Sequence, residues 1–334
     1  MADFKANVFI CAWYKGGIRD FHLAFMKENG SEGAVSILRI TDGRDPAGVI
    51  SENAKFGASK TYVFDSTRPL MRLLTKLLPI FSIYALFIAW RAKAQGIFIS
   101  HDGFCFWSIP SFLLRRKAYV FAHDPAPHET AEAPRRAWAR RSYFRFVYYR
   151  KRWKAVVVGS ESNRRTMLER GCASPVISVP FPEFGAELFD LTPVEPTPEI
   201  EGVTGYILFF GRIDVYKGVY DWLQENADRV GVPIVIAGRV LDKRVFEFED
   251  RAIFIDRFIG NGEIGALFRN ACALICPYSS ATHSGIPDLG LSYGVPVYVS
   301  RIPYFEERYG AVEGVKYMDE LPADLAAREA APQA

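Results

Sequence analysis

Arg212 and Lys217 lie on one short stretch, Phe-Phe-Gly-Arg-Ile-Asp-Val-Tyr-Lys-Gly-Val, directly after an apolar run that ends at Gly211. A guanidinium fork and an ammonium point charge on one loop, beside the start of a helix, can neutralise a diphosphate. The segment from Cys276 to Ser300 offers a second anion site. Its apolar strand runs into a small polar loop, the loop opens a short helix, and no carboxylate stands between Ser279 and Pro287. Backbone N–H groups around Ser284 and Gly285 suit an anionic ligand there; a loop that only joins two strands is the plainer reading.

Two His-Asp pairs, His101-Asp102 and His123-Asp124, also follow apolar runs. A histidine in that position can donate a hydrogen bond to a ligand or carry partial charge near neutral pH, or it can order its own loop. Position favours His123. Gly16-Gly17, after the first apolar run, permits a tight turn that exposes N–H groups to a bound group. That loop carries no Gly-x-Gly-x-x-Gly, so a nicotinamide or flavin dinucleotide is not expected. The chain has no Asp-x-Asp, and Cys272-x3-Cys276 lacks zinc-ligand spacing. Neither a metal nor a cofactor is expected.

The elements that must hold these residues show as short apolar runs, each followed by a loop and a longer stretch of helical periodicity. In the first half the runs are Asn7–Cys11, Val35–Ile40, Thr61–Asp65, Gly96–Ser100, Ala118–Ala122, Ala155–Gly159 and Val176–Val179. In the second they are Tyr206–Gly211, Pro233–Gly238, Ala252–Asp256, Ala273–Cys276 and Val295–Val299. Strands that are apolar throughout are buried on both faces, and strands alternating with helices make a parallel sheet wrapped by helices. The prolines at 193, 196 and 198 mark a break. The expected architecture is therefore α/β: residues 1–190 form one doubly wound domain, 191–204 a linker, 205–321 a second such domain and 322–334 a flexible tail. Such folds bind ligands outside the carboxyl ends of their strands, and two of them would face each other across a cleft.

At 334 residues, 49% hydrophobic and 24% charged, the chain has room for two cores, and disorder is not expected. Five scattered cysteines read as buried thiols in a reducing compartment. The N-terminus has no long apolar run ahead of a small-residue cleavage site, so a cytoplasmic location is expected. Leu77 to Trp90 is uncharged and largely apolar but short for a membrane span and interrupted by Pro79. It reads as a helix buried in a core, with a membrane-inserted segment as the alternative.

Residues 135–154 hold nine Lys or Arg, seven aromatics and no acid; removing those nine charges from a net +3 leaves the rest of the chain at −6. A basic, aromatic helix here, with Arg136, Arg140, Arg141, Arg145 and Arg150, fits an anionic membrane surface. A plain surface helix and a nucleic-acid contact are the alternatives, and nucleic acid is the least expected.

Taken in order, these pieces resemble the glycosyltransferase family 4 enzymes. The resemblance is carried by the Gly-Gly loop, His123-Asp124, Val-Gly-Ser-Glu-Ser-Asn before the break, Gly-Arg-Ile with Lys-Gly, and Pro-Tyr-x-x-Ala-Thr-His-Ser-Gly with Gly-Val-Pro-Val. It implies the two-domain GT-B fold, a nucleotide-sugar donor and retention of anomeric configuration. The acceptor would be lipid-linked or a glycan, in surface polysaccharide synthesis at the inner face of a membrane. On this resemblance Arg212, Lys217, Ser284 and Gly285 hold the donor diphosphate, and His123 stands beside the transferred sugar. Gly16, Gly17, Phe258, Thr282, His283 and Asp288 are candidates for the donor sugar or nucleoside. Many members carry Glu-x7-Glu in the last segment; Ala281 and Leu289 occupy those positions here, as in a branch that resembles this loop with Gln in place of His283. A catalytically silent GT-B scaffold of a polysaccharide assembly complex is the alternative the missing carboxylates leave open.

Overall fold

The computed structural model describes residues 4, 6–77, 80–101, 117–123, 125, 153–183, 185–186 and 195–330. For these the chain divides into two compact units, with the boundary between Pro182 and Glu183.

In the first unit the strands are β1 (Ala6–Cys11), β2 (Gly30–Ile40), β3 (Lys60–Asp65), β4 (Ile97–His101), β5 (Ala118–Phe121), β6 (Ala155–Val158) and β7 (Val176–Ser178). They pair in parallel in the order β3-β2-β1-β4-β5-β6-β7. The helices are α1 (Gly16–Asn29), α2 (Pro46–Lys55), α3 (Pro69–Leu77), α4 (Ile80–Arg91) and α5 (Glu161–Glu169). The period of two along each strand explains why the runs look wholly apolar. Val8, Ile10, Ile97, Ile99 and Val120 point to one face and pack with Phe81, Ala85 and Ile88 of α4. Phe98 and Phe121 alternate with them onto the other face, where α1 meets them: Phe25 stacks on Phe98 at 4.1 Å and Phe21 lies 4.3 Å from Phe121.

The second unit repeats the plan with β8 (Tyr206–Phe210), β9 (Ile234–Ala237), β10 (Ile253–Ile255), β11 (Ala271–Cys276), β12 (Val297–Val299) and β13 (Val315–Tyr317), parallel in the order β10-β9-β8-β11-β12-β13. Its helices are α6 (Val219–Asn226), α7 (Asn261–Arg269), α8 (Ile286–Ser292), α9 (Pro303–Tyr309) and α10 (Leu321–Ala330). Both sheets run outward from their first strand and then reverse, and such a reversal leaves a crevice at the strand carboxyl ends. The reversal lies between β1 and β4 in one unit and between β8 and β11 in the other.

Four expectations are corrected. β2 begins at Gly30, five residues early, because its exposed Gly-Ser-Glu-Gly start carries no apolar signal. Residues 195–204 belong to the second unit: the Glu195 N–H donates to the Gly262 carbonyl at 2.9 Å, Glu199 pairs with Arg257, and Ile200 is buried. The tail expected from residue 322 is largely helix: α10 buries Leu321 and Leu325, and Asp324 accepts from the Tyr298 hydroxyl at 2.6 Å. The helix expected within Leu77 to Trp90 is not buried all round, since α4 leaves Ile83, Phe87 and Trp90 exposed. Among the described residues no single helix is long and apolar enough to cross a membrane.

Candidate functional site

The two loops singled out by their chemistry flank the strand reversal of the second sheet: one follows β8, the other β11. After β8, Arg212 extends from the loop with its side chain about half exposed; its Nη2 donates to the Tyr216 hydroxyl at 3.2 Å and its Nε lies 3.8 Å from the Asp214 carboxylate. Asp214 is buried and accepts from the Val215 N–H at 3.0 Å, which caps the 3₁₀ turn Val215–Lys217. Gly218 ends that turn at φ 64°, and a Cβ there would stand 1.9 Å from the Pro277 carbonyl oxygen. Only glycine allows that approach. The Tyr216 carbonyl in turn accepts from the Ser279 N–H at 3.0 Å and the Ser279 hydroxyl at 3.2 Å. Backbone contact thus clamps the two loops together.

Tyr278, between those contacts, has no role in the sequence reading. The Lys217 Nζ lies 3.6 Å from the centre of its ring, a cation–π distance. Its hydroxyl is buried beside Ser284 and Cys276, and burial pushes it well above the usual phenol range. Burial also pushes the Cys276 thiol up to about 12, with the Lys217 charge acting in the opposite direction. Lys217 therefore projects its charge onto the end of β11.

The 282–285 loop is held from behind. The Ser284 N–H donates to the Tyr304 hydroxyl at 3.1 Å, and the Tyr309 hydroxyl donates to the Ser284 carbonyl at 3.1 Å. That N–H, expected to face an anion, is committed to Tyr304. Thr282 and Ser284 are buried, His283 is partly exposed beside the Tyr304 ring, and Gly285 caps α8, a helix of seven residues. Asp288 lies on α8 with its carboxylate 2.8 Å from Arg308 on α9, whose Nε donates to the Tyr309 hydroxyl. Burial pushes the Asp288 carboxyl up, and Arg308 pulls it down.

In the first unit Gly16 takes φ 50° to open α1, and Gly17 has no heavy atom within 4 Å of where a Cβ would stand, so the turn faces open space. His123 is half-buried after β5, edge-on to Phe21 and Phe121. Its Nε2 lies 2.6 Å from the Ser100 carbonyl. A carbonyl only accepts, so Nε2 carries the proton.

Behind that carbonyl runs a buried polar chain. Glu52 accepts from the Tyr14 hydroxyl (2.7 Å), the Asn53 amide donates to Tyr14 (2.8 Å), and Ser36 donates to the Asn53 oxygen (2.9 Å). His22 links Ser36 at Nε2 (3.0 Å) to the Ser100 hydroxyl at Nδ1 (2.8 Å). Because the Ser36 proton is spent on Asn53, His22 donates from Nε2, and in a neutral ring its Nδ1 shares the one Ser100 hydroxyl proton with the Ile10 carbonyl, 3.1 Å from that hydroxyl. Burial lowers the His22 pKa to about 3, consistent with that neutral ring. At the far end buried Arg19 binds both Asp20 and Glu52, and burial lifts the Asp20 carboxyl to about 6.

The Gly-x-Gly-x-x-Gly spacing does occur once, at Gly260-Asn-Gly-Glu-Ile-Gly265, where it opens α7 after β10. There the Gly260 N–H donates to the Glu263 carboxylate at 2.9 Å, and Arg257 pairs with the same carboxylate at 2.6 Å. The chain's own side chain fills the position a phosphate would take. Phe258, just ahead, is 70% exposed. Among the described residues no three His, Cys, Asp or Glu side chains come together as a metal ion would need. Asp102, Asp124, Arg136, Arg140, Arg141, Arg145 and Arg150 lie outside the described residues.

No family model matches the chain, and no curated protein matches it. Solved structures do. HepE from Anabaena, crystallised with UDP and glucose, is 14% identical over 97% of this chain and 89% of its own, with a TM-score of 0.62. Sucrose-phosphate synthase from Thermosynechococcus elongatus is 16% identical over 90% and 82%, with a TM-score of 0.58. A UDP-forming α,α-trehalose-phosphate synthase from Burkholderia vietnamiensis is 12% identical over 98% and 90%, with a TM-score of 0.52. At such identity the likeness is one of fold: two parallel-sheet α/β units of the GT-B type, shared with these glycosyltransferases.

Proposed function

We propose that the protein is a nucleotide-sugar-dependent glycosyltransferase that moves a sugar, with retention, onto a lipid-linked or oligosaccharide acceptor at a membrane. The observation that carries this reading is the pairing of Arg212 and Lys217 on a loop clamped at the strand reversal of the second unit. In this reading the two cations bind the donor diphosphate and stabilise the charge that grows on it as the glycosidic bond breaks. The acceptor oxygen then bonds to the anomeric carbon on the face the diphosphate leaves, and its proton passes to the departing phosphate oxygen. That route needs no carboxylate nucleophile, which accords with Ala281 and Leu289.

His123, protonated at Nε2, would meet the sugar through Nδ1 as a hydrogen-bond acceptor. Gly285, Thr282 and His283 would line the diphosphate and sugar, Gly16 and Gly17 would offer backbone N–H groups to the donor, and Phe258 would take the base. Asp288, ion-paired to Arg308, would shape the loop rather than bind ribose. No metal is required in this scheme. The basic segment 135–154 would hold the enzyme on an anionic surface.

Calorimetry with a panel of nucleoside diphosphates tests the core of the proposal. A charge-assisted contact is worth about 1.5–3 kcal/mol, so Lys217→Ala should weaken the preferred diphosphate about 10- to 100-fold. Unchanged affinity in the variant removes Lys217 from the site. If the wild-type protein binds no nucleoside diphosphate at all, the scaffold reading takes its place.

A further inference from the structure

Two apolar stripes of α4 meet different surroundings. Phe81, Ala85 and Ile88 recur at helical spacing and pack on the first sheet. Ile83, Phe87 and Trp90 repeat the same spacing two residues later, about 200° around the helix, and are 56%, 51% and 74% exposed. The Phe87 and Trp90 rings lie 6.2 Å apart. α3 adds Leu70 and Leu73, 65% and 53% exposed. Pro69–Thr75 of α3 and Ile80–Arg91 of α4 lie at 80° to each other. Single exposed apolar side chains are ordinary; five large ones on two consecutive helices mark a contact surface.

The charges beside this face identify its partner. From Ser66 to His101 the chain has no acidic residue. Arg68, Arg72, Arg91 and Lys93 are exposed at the ends of the two helices, and the Arg91 guanidinium lies 5.8 Å from the Phe87 ring. An apolar stripe flanked by cations and ending in tryptophan matches the boundary between anionic headgroups and acyl chains. Depth sets the mode of contact: the 12 residues of α4 reach about 18 Å, against a hydrocarbon core of about 30 Å. α4 alone is therefore too short to cross, and although α3 and α4 together have the length and apolar composition of a bent span, the 80° between them suits lying in the surface better than one straight crossing.

We propose that α3 and α4 form a membrane-docking face, which lays Leu70, Leu73, Ile83, Phe87 and Trp90 into the surface of an anionic bilayer and sets Arg68, Arg72, Arg91 and Lys93 against its phosphates. The face is formed by a different stretch of the sequence from residues 135–154, and its use does not require that the chain transfer a sugar.

Co-sedimentation of the full chain with phosphatidylcholine vesicles, with and without phosphatidylglycerol, tests it at low salt. The wild type should bind the anionic vesicles more tightly. The double variant Phe87→Ser with Trp90→Ser should lose at least about tenfold in partitioning. Arg91→Glu should lose about fivefold or more on anionic vesicles alone. Equal partitioning of the double variant and the wild type overturns the proposal. So does a wild type indifferent to phosphatidylglycerol, or a lipid-free dimer that the double variant converts to monomer in light scattering, which would make the face an interface between copies. Both side chains are exposed, so melting by circular dichroism should be unchanged; if it is not, Trp90→Ser alone replaces the pair. Nucleoside diphosphate affinity, measured on the same variants, should match the wild type and keeps this proposal separate from that of sugar transfer.

Discussion

Asp288 stands one position from where the family resemblance expects a donor-binding carboxylate, yet it is spent inside the protein on Arg308. Breaking a buried pair by removing one partner leaves an uncompensated charge and costs about 3–5 kcal/mol. Arg308→Met should therefore lower the melting temperature by about 10 °C and loosen the Ser284 loop; a variant that melts like the wild type would show that the pair does not hold the loop. His22 gives a pH signature. Its folded pKa, about 3, lies below the ordinary 6.5, so the unfolded chain binds a proton that the folded one refuses. The stability this residue contributes is present above pH 6.5 and lost as pH falls toward 3, by up to about 1.4 kcal/mol per unit. His22→Gln cannot titrate, so the gap between wild type and variant in urea unfolding should narrow as pH drops through that window. A constant gap would mean that the ring is not neutral in the fold. Arg212 and Lys217 stood out in the sequence as candidates because cations after a strand advertise themselves, and the structure places both on the loop after β8. Tyr278, Tyr304 and Arg308 were not, because their meaning rests on partners up to 61 residues away.

At the scale of elements, the turn from Asp214 to Gly218 depends on one missing side chain. Gly218→Ala puts a methyl group against the Pro277 carbonyl and a left-handed φ on an L-residue, which alone costs about 1–2 kcal/mol. The two loops should part, with nucleoside diphosphate affinity falling along with the melting temperature; unchanged affinity in calorimetry would show that the clamp is dispensable. Most strands could be read from sequence because both faces of each sheet are covered, so that Val8 and Phe9 are both apolar for different neighbours. β13 escaped because a three-residue strand, Val315-Lys-Tyr317, is too short to make a run. The helix at Leu321–Ala330 escaped because alanines and prolines resemble a tail until Leu321 and Leu325 find a core. The glycine motif at 260–265 shows the reverse: the spacing was present, but Glu263 gives it a structural use.

At the scale of the molecule, two units with separate cores should respond separately to ligand. A nucleoside diphosphate at a hundred times its Kd adds about 2.7 kcal/mol to whatever binds it. Scanning calorimetry should show that increment on the transition of the second unit alone; an equal shift of both transitions would place the diphosphate on both. The Tyr216 carbonyl and the Ser279 N–H and hydroxyl that clamp the site are 63 positions apart in the chain. They can meet only after β9 and β10 have been passed over and β11 has inserted beside β8, and such distant pairings close slowly. The loop pair proposed to hold the diphosphate is then one of the late acquisitions of a folding chain. A ligand that grips only that finished clamp would leave the speed of folding almost untouched and act by slowing escape from the native state.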